Sequence, residues 1–265
     1  MKVCENNQPL ASIVCGFERG GTTLVTEILR QHPKLDGGFE GGFLLVKDNV
    51  SEFLSIEPYS INLKRGWDIS EDEFLHICSA DNWPEVYKRL VEYSRLIQFK
   101  DTLVFDKTPK YMSVLPNVLD KVPNVPCIVV VRDPRSVLWS WAKRSDVDKD
   151  TWICKLENHC ARYIAYANGW KAAIEDGMGS RILLVKYEEL CKNPNEIARE
   201  IFNFIGLDFV PEYVELRRKS KFPNVRGNSV SNEFLKEYKG NLPEDICRNI
   251  LDLTYEFSEW FWEPA

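Results

Sequence analysis

Short apolar runs alternate with longer amphipathic stretches along most of the 265-residue chain. Runs of about four to eight apolar residues are typical of buried parallel strands, and apolar positions three and four apart are typical of helices. The pattern predicts strands at 12–16, 103–106, 127–132 and 181–187. It predicts helices at 23–31, 84–98, 112–121, 134–144, 152–176, 195–205 and 244–260. This alternation indicates an α/β fold with a central parallel sheet flanked by helices, which binds ligands at the carboxyl ends of its strands.

The segment 46–82 does not follow this alternation. It carries several aromatic residues, and we predict that it is irregular. It forms either a lid over the acceptor site or an inserted packing layer. No repeat or low-complexity linker divides the chain, and its length is enough for one large core, so we predict a single domain over 1–265.

Composition narrows the classes of function. The net charge of −6 argues against a nucleic-acid-binding protein, although an anionic small ligand needs only local positive charge. The eight cysteines include no Cys-x-x-Cys pair, which favours free thiols over a zinc site or a disulfide framework. The apolar stretch near residues 10–17 is too short to span a membrane. We therefore predict a cytoplasmic protein without a signal peptide or a membrane anchor.

The stretch 12–23, Ser-Ile-Val-Cys-Gly-Phe-Glu-Arg-Gly-Gly-Thr-Thr, predicts a phosphate-binding loop. A strand enters a glycine-bearing turn that opens a helix, so backbone N–H groups converge at the positive end of the helix dipole. Gly16 and Gly21 have the Walker A spacing, but Thr22 and Thr23 stand where a Lys and a Ser or Thr would follow. A cation, Arg19, lies inside the loop instead. This indicates a ligand other than magnesium-bound ATP, and the alternative is an ordinary strand-to-helix turn.

A second candidate anion site follows the strand that begins at Cys127. Arg132 ends this strand, and Pro134 is placed to begin a helix. Ser140 and Arg144 lie four residues apart on that helix and therefore share a face. Two arginines and a hydroxyl that converge suit a dianionic phosphate. The alternative is a surface helix with solvated arginines.

Both motifs resemble those of the sulfotransferases that use 3′-phosphoadenosine 5′-phosphosulfate (PAPS), and their spacing is nearest to the tyrosylprotein and bacterial carbohydrate types. The family loop reads Arg or Lys, a small residue, then Gly-Thr-Thr; here it reads Arg19-Gly20-Gly21-Thr22-Thr23, with Gly20 where Ser is usual. The family's 3′-phosphate motif is Arg-Asp-x-Arg with a Ser eight residues after the first Arg, which matches Arg132 and Ser140. The resemblance implies a P-loop-like domain. It also implies that residues 19–23 cradle the 5′-phosphosulfate, while Arg132 and Ser140, supported by Arg144, bind the 3′-phosphate.

Further segments carry the same resemblance. Tyr187-Glu-Glu-Leu resembles a family segment whose tyrosine lies near the adenine, and the alternative is a strand-end tyrosine packed in the core. Arg226 and Ser231 fall in a stretch where family members are serine-rich, and they are weaker candidates for donor binding.

The resemblance also implies catalytic residues. Glu40 lies 21 residues after Arg19 between pairs of glycines, where related enzymes place a catalytic base. Lys107 follows a strand in a segment whose family lysine reaches the transferring group, and Arg19 would act from the other side. The alternatives are a solvated loop glutamate and a lysine paired with Asp106. The three histidines, His32, His76 and His159, are predicted to be structural.

These observations predict a sulfotransferase that moves a sulfuryl group from PAPS to a hydroxyl of a small-molecule, sugar or lipid acceptor. Glu40 is the general base, and no metal is required because arginine, lysine and helix N-termini can neutralise the donor. The alternatives are a P-loop kinase-like phosphotransferase and a non-catalytic nucleotide-binding module. The sequence predicts neither the acceptor nor the oligomeric state.

Overall fold

The computed structural model describes residues 8–99, 101–218, 229–233 and 235–260, and its centre is a parallel sheet. Five strands lie in the order β2-β3-β1-β4-β5. They are β1 Leu10–Gly16, β2 Leu35–Asp36, β3 Leu103–Lys107, β4 Cys127–Val131 and β5 Ile182–Lys186. All neighbouring pairs are parallel. The four predicted strands and the parallel sheet are thus confirmed, whereas β2, with two residues, is too short to produce a pattern in the sequence.

The order places β1 at the centre, where the winding of the chain reverses. From β1 the chain runs to β2 at one edge of the sheet and back to β3, and it then crosses to β4 and β5 on the other side of β1. In open parallel sheets such a switch point leaves a crevice at the carboxyl ends of the strands, and ligands bind there. The ends of β1, β3 and β4 therefore define where a site is expected.

Helices cover both faces of the sheet. They are α1 Thr22–Arg30, α2 Tyr59–Trp67, α3 Glu71–Cys78, α4 Trp83–Tyr93, α5 Leu115–Lys121, α6 Pro134–Ala142, α7 Lys149–Ile153, α8 Leu156–Glu175, α9 Tyr187–Lys192, α10 Pro194–Phe204 and α11 Glu244–Leu253. Alternate residues of β4 face opposite sides of the sheet, as in any strand. Ile128 and Val130 pack with α1 and α10 on one face, whereas Val129 and Val131 belong to the larger core on the other face.

Several predicted helix boundaries differ from the structure. The helix predicted at 152–176 is divided into α7 and α8, and the one predicted at 244–260 ends at Leu253 before a 3₁₀ turn, Tyr255–Trp260. The helix predicted at 84–98 ends at Tyr93, because Ser94 has an extended backbone and its hydroxyl donates to the carbonyl of Trp67 at 2.5 Å.

The prediction that 46–82 is irregular is wrong. The segment contains a 3₁₀ turn, Val50–Ser55, followed by α2 and α3. Three of its aromatic side chains, Phe53, Trp67 and Phe74, are buried in the core. This burial favours the packing-layer interpretation over the lid, although the start of α2 borders the cleft described below. Within the described residues, no helix is long and apolar enough to cross a membrane.

Candidate active site

A cleft of about 450 Å³ lies where the carboxyl ends of β1, β3 and β4 meet. Its lining includes most of the residues that the sequence singled out: Arg19, Gly21, Thr22, Thr23, Glu40, Lys107, Arg132, Ser140, Arg144, Tyr187 and Ser231. Gly20 is buried and does not line the cleft, and Arg226 lies outside the described residues. Segments far apart in the sequence are therefore brought together as the motifs predict.

The loop between β1 and α1 has a shape that requires glycine. Gly21 has a φ of 105°, and a Cβ at this position would lie 2.1 Å from the ring of Tyr187. Gly21 is also the N-cap of α1 and has no side chain that could cap the helix, which leaves the first N–H groups available to an anion. A Cβ on Gly20 would lie 2.9 Å from the carbonyl oxygen of Phe17. The serine that is usual in the family would therefore require this loop to shift.

Arg19 links the two candidate anion sites. Its backbone is left-handed, with a φ of 67°, and its Nε donates to the hydroxyl of Ser140 at 3.2 Å. Its carbonyl oxygen accepts from Nη1 of Arg132 at 3.1 Å. The loop after β1 and the turn after β4 are thus in direct contact, which suits one ligand with two anionic groups.

Arg132 is fixed on several sides. Its guanidinium lies 4.3 Å from the ring centroid of Tyr187, and its carbonyl oxygen accepts from the hydroxyl of Tyr163 at 2.9 Å. Burial raises the pKa of Tyr187 to about 12 against the opposing effect of Arg132, so this phenol is neutral at physiological pH. Tyr187 thus both packs against the core and borders the cleft.

Glu40 and Lys107 form an ion pair in the cleft, with 3.0 Å between Oε1 and Nζ. The Lys107 side chain is only 6% exposed and its Nζ lies 4.7 Å from the ring centroid of Phe39. The Glu40 side chain keeps 22% of its surface exposed, so it remains accessible from the cleft. The alternative pairing of Lys107 with Asp106 is wrong, because the Asp106 carboxylate points into the core.

Asp106 anchors the loop that carries Glu40. It accepts from the hydroxyls of Tyr87 at 2.6 Å and Tyr111 at 2.8 Å. It also accepts from the hydroxyl of Thr108 at 3.1 Å and from the backbone of Gly41, and burial still raises its pKa. The hydroxyl of Thr108 in turn accepts from the backbone N–H of Gly42 at 2.9 Å. This buried network explains how β3 fixes the backbone directly after Glu40.

The outer part of the cleft contains polar residues that the sequence did not single out. Glu18 accepts from the hydroxyl of Tyr166 at 2.8 Å and pairs with Arg162. Tyr59 and Asn62 of α2 also line the cleft. Burial, and then the charges of Glu40 and Glu18, raise the pKa of Tyr59, so its hydroxyl stays protonated. The aromatic pattern of 46–82 was the one signal in the sequence that pointed to this side.

None of the three histidines lines the cleft. His32 is buried, and its Nδ1 accepts from the backbone N–H of Lys34 at 3.1 Å. His159 stacks on Trp152, and His76 packs edge-on against Tyr93. A structural role agrees with these contacts. Within the described ranges, no group of three His, Cys, Asp or Glu side chains is placed to hold a metal ion.

Comparison with known proteins gives consistent matches. The family model described as "Sulfotransferase family" matches residues 12–211. The protein-tyrosine sulfotransferase of Drosophila melanogaster is 23% identical over 94% of this chain and 51% of its own length. The nodulation protein NoeE of Sinorhizobium fredii is 21% identical over 93% of this chain and 64% of its own length. The chain thus spans about half of the first relative and under two thirds of the second.

Solved structures share the fold. The sulfotransferase domain from the Synechococcus PCC 7002 olefin synthase superposes with a TM-score of 0.66 at 18% identity, over 98% of this chain and 97% of that domain. A mouse sulfotransferase complexed with adenosine 3′,5′-bisphosphate (PAP) superposes with a TM-score of 0.55 at 13% identity. The match covers 93% of this chain and 84% of the mouse chain.

Proposed function

The chain belongs to the sulfotransferase family, and we propose that it transfers a sulfuryl group from PAPS to a hydroxyl of an acceptor molecule. One observation carries this proposal. A carboxylate paired with an ammonium, Glu40 with Lys107, lies in the same cleft as two candidate anion sites. Together these groups would provide a base, a cation for the transferring group and two binding sites for the phosphates of the donor.

The donor assignment rests on the two anion sites. The open N–H groups at the start of α1 suit the 5′-phosphosulfate, and Arg132 with Ser140 and Arg144 suits the 3′-phosphate. ATP has no 3′-phosphate, so a kinase would have no use for the second site. The mouse protein with the same fold binds PAP, which is PAPS without its sulfuryl group, and this supports the assignment.

The proposed step is an in-line displacement at sulfur. The acceptor hydroxyl loses its proton to the carboxylate of Glu40, and its oxygen forms a new bond to sulfur. The bond between sulfur and the bridging phosphate oxygen breaks, and PAP leaves with the electron pair. Lys107 and Arg19 stabilise the charge that develops on the sulfuryl and phosphate oxygens. Glu40 then returns its proton to water.

We propose that the acceptor binds in the outer part of the cleft. Phe39 and Tyr59 border the route to Glu40, and the neutral hydroxyl of Tyr59 can donate a hydrogen bond there. The named activities of the relatives include protein tyrosine and carbohydrate sulfation. We propose a hydroxyl on a small-molecule, sugar or lipid acceptor for this chain.

Replacing Arg132 with alanine is expected to weaken PAP binding about tenfold to a hundredfold, the usual effect of losing charge-assisted hydrogen bonds. Binding of adenosine 5′-monophosphate (AMP), which lacks the 3′-phosphate, should stay close to the wild-type value. Isothermal titration with both ligands measures the two effects separately.

Arg135→Ala is the matched control for this variant. Arg135 lies three residues further on, in the first turn of α6, but it pairs with Asp133 and packs on the ring of Tyr238 instead of lining the cleft. PAP affinity should therefore survive in the control. Equal PAP affinity in wild type and Arg132→Ala would refute the 3′-phosphate assignment.

A further inference from the structure

Glu188, the second residue of the Tyr-Glu-Glu-Leu segment, lies directly behind the candidate 3′-phosphate site. Its Oε1 accepts from the backbone N–H of Asp133 at 3.1 Å. Its Oε2 is buried and has no hydrogen-bond partner among the residues that the structure describes. The residue does not line the cleft, so it has no place in the chemistry proposed above.

We propose that Glu188 is a positioning residue that fixes the peptide between Arg132 and Asp133 and thereby sets the affinity of the site for a 3′-phosphate. This inference rests on the proposed function, because it assumes that Arg132 binds that phosphate. It goes further in naming a residue, outside the cleft, on which selectivity for the 3′-phosphorylated nucleotide depends.

The geometry of one peptide group carries the inference. The carbonyl of Arg132 and the N–H of Asp133 belong to the same planar unit. Tyr163 holds its carbonyl side at 2.9 Å, and Glu188 holds its N–H side at 3.1 Å. With both ends held, the plane cannot rotate about its flanking dihedrals. The direction in which the Arg132 side chain leaves the end of β4 is therefore fixed.

The short turn between β4 and α6 explains why the peptide between Arg132 and Asp133 depends on hydrogen bonds from other elements. β4 ends at Val131 and α6 begins at Pro134, so only Arg132 and Asp133 connect the strand to the helix. Asp133 is the N-cap of α6, and its side chain accepts from the N–H of Arg135 at 2.8 Å. That contact fixes the helix side of the turn but leaves the peptide on the strand side to Glu188 and Tyr163.

The N–H of Asp133 needs an acceptor oxygen from Glu188, and it does not need a negative charge. A negative charge behind a phosphate site would oppose phosphate binding. Burial raises the pKa of Glu188, with smaller opposing contributions from the backbone of Asp133 and from Arg132. An amide in place of the carboxyl keeps an acceptor oxygen for the N–H of Asp133. Glutamine should therefore substitute for Glu188, whereas alanine should not.

The test is isothermal titration of PAP and AMP into purified wild type, Glu188→Ala and Glu188→Gln. Glu188→Ala should weaken PAP binding about fivefold to thirtyfold, because a buried N–H loses its partner and Arg132 is no longer held. AMP binding should stay near the wild-type value. Glu188→Gln should bind PAP as tightly as wild type or more tightly.

Glu189→Ala is the matched control. It removes the next carboxylate on α9, which is about half-exposed and pairs with Lys192 at 3.5 Å, and its PAP affinity should not change. If Glu188→Ala fails to fold, Tyr163→Phe tests the same peptide from its carbonyl side. The ratio of PAP affinity to AMP affinity should fall in that variant as well, and an unchanged ratio would overturn the inference.

The other outcomes separate this inference from the proposed function. Unchanged PAP binding in Glu188→Ala, or an equal loss for PAP and AMP, would overturn the positioning role. A loss in Glu188→Gln as large as that in Glu188→Ala would also overturn it, because charge would then be what matters. A wild-type protein that binds PAP no more tightly than AMP would refute the donor assignment itself, whatever the variants do.

Discussion

Replacing Glu40 with glutamine is expected to lower turnover with PAPS about 10²-fold to 10⁴-fold, the usual contribution of a general base. Glutamine keeps the size of the side chain and can still accept a hydrogen bond from Lys107, but it cannot take the acceptor proton. PAP affinity should remain near the wild-type value, because the two candidate anion sites lie on other segments. Turnover of radiolabelled PAPS and titration with PAP measure the two quantities.

Glu18→Gln is the control for this experiment. Glu18 is a second carboxylate in the same cleft, but Tyr166 and Arg162 already occupy its oxygens. We expect only a small loss of turnover in this variant. Full activity in Glu40→Gln, or a larger loss in Glu18→Gln than in Glu40→Gln, would show that the base has been assigned to the wrong residue.

Replacing Lys107 with methionine is expected to lower turnover about 10²-fold to 10³-fold, as when one preorganised donor to a developing negative charge is removed. Methionine has an unbranched side chain of similar length without the ammonium group, so the loss reports that group, including its contact with the ring of Phe39. Because that charge is proposed to act mainly in the transition state, PAP affinity should fall much less than turnover. The comparison needs both steady-state rates and PAP titration.

Lys110→Met is the matched control for Lys107→Met, with the same substitution three residues further along the chain. Lys110 is exposed, and its Nζ lies 5.1 Å from the ring centroid of Tyr166, outside the cleft lining. Its loss should leave turnover near the wild-type value. If Lys107→Met instead lost PAP affinity and turnover in equal proportion, Lys107 would be a binding residue that does not act preferentially in the transition state.

The sequence predicted the sheet and the convergence of the candidate site residues on one cleft because both depend on local patterns. The strand that ends at Gly16 and the strand that ends at Val131 are continuous apolar runs followed by distinctive turns. Parallel strands bring their carboxyl ends to one edge, so motifs at those ends had to meet. Tyr187 lines the cleft for the same reason, because it follows the carboxyl end of β5 directly.

The sequence could not predict contacts that join distant segments. The network around Asp106 depends on Tyr87, and the peptide of Arg132 depends on Tyr163 and Glu188. Each of these partners lies in a different element, and no periodic pattern relates them. The helices within 46–82 were missed for another reason: each is nine residues or fewer, which is too short for a clear helical period. The serine–glutamate capping box that begins α3 was the available signal.

Isothermal titration of the wild-type protein with PAP, and separately with ATP and magnesium, tests the central claim most directly. Both ligands are adenine nucleotides with 5′-phosphates, but only PAP carries the 3′-phosphate that Arg132, Ser140 and Arg144 are proposed to bind. We predict tight binding of PAP and no measurable binding of ATP. Tighter binding of ATP with magnesium than of PAP would contradict the sulfotransferase account and favour a kinase-like phosphotransferase.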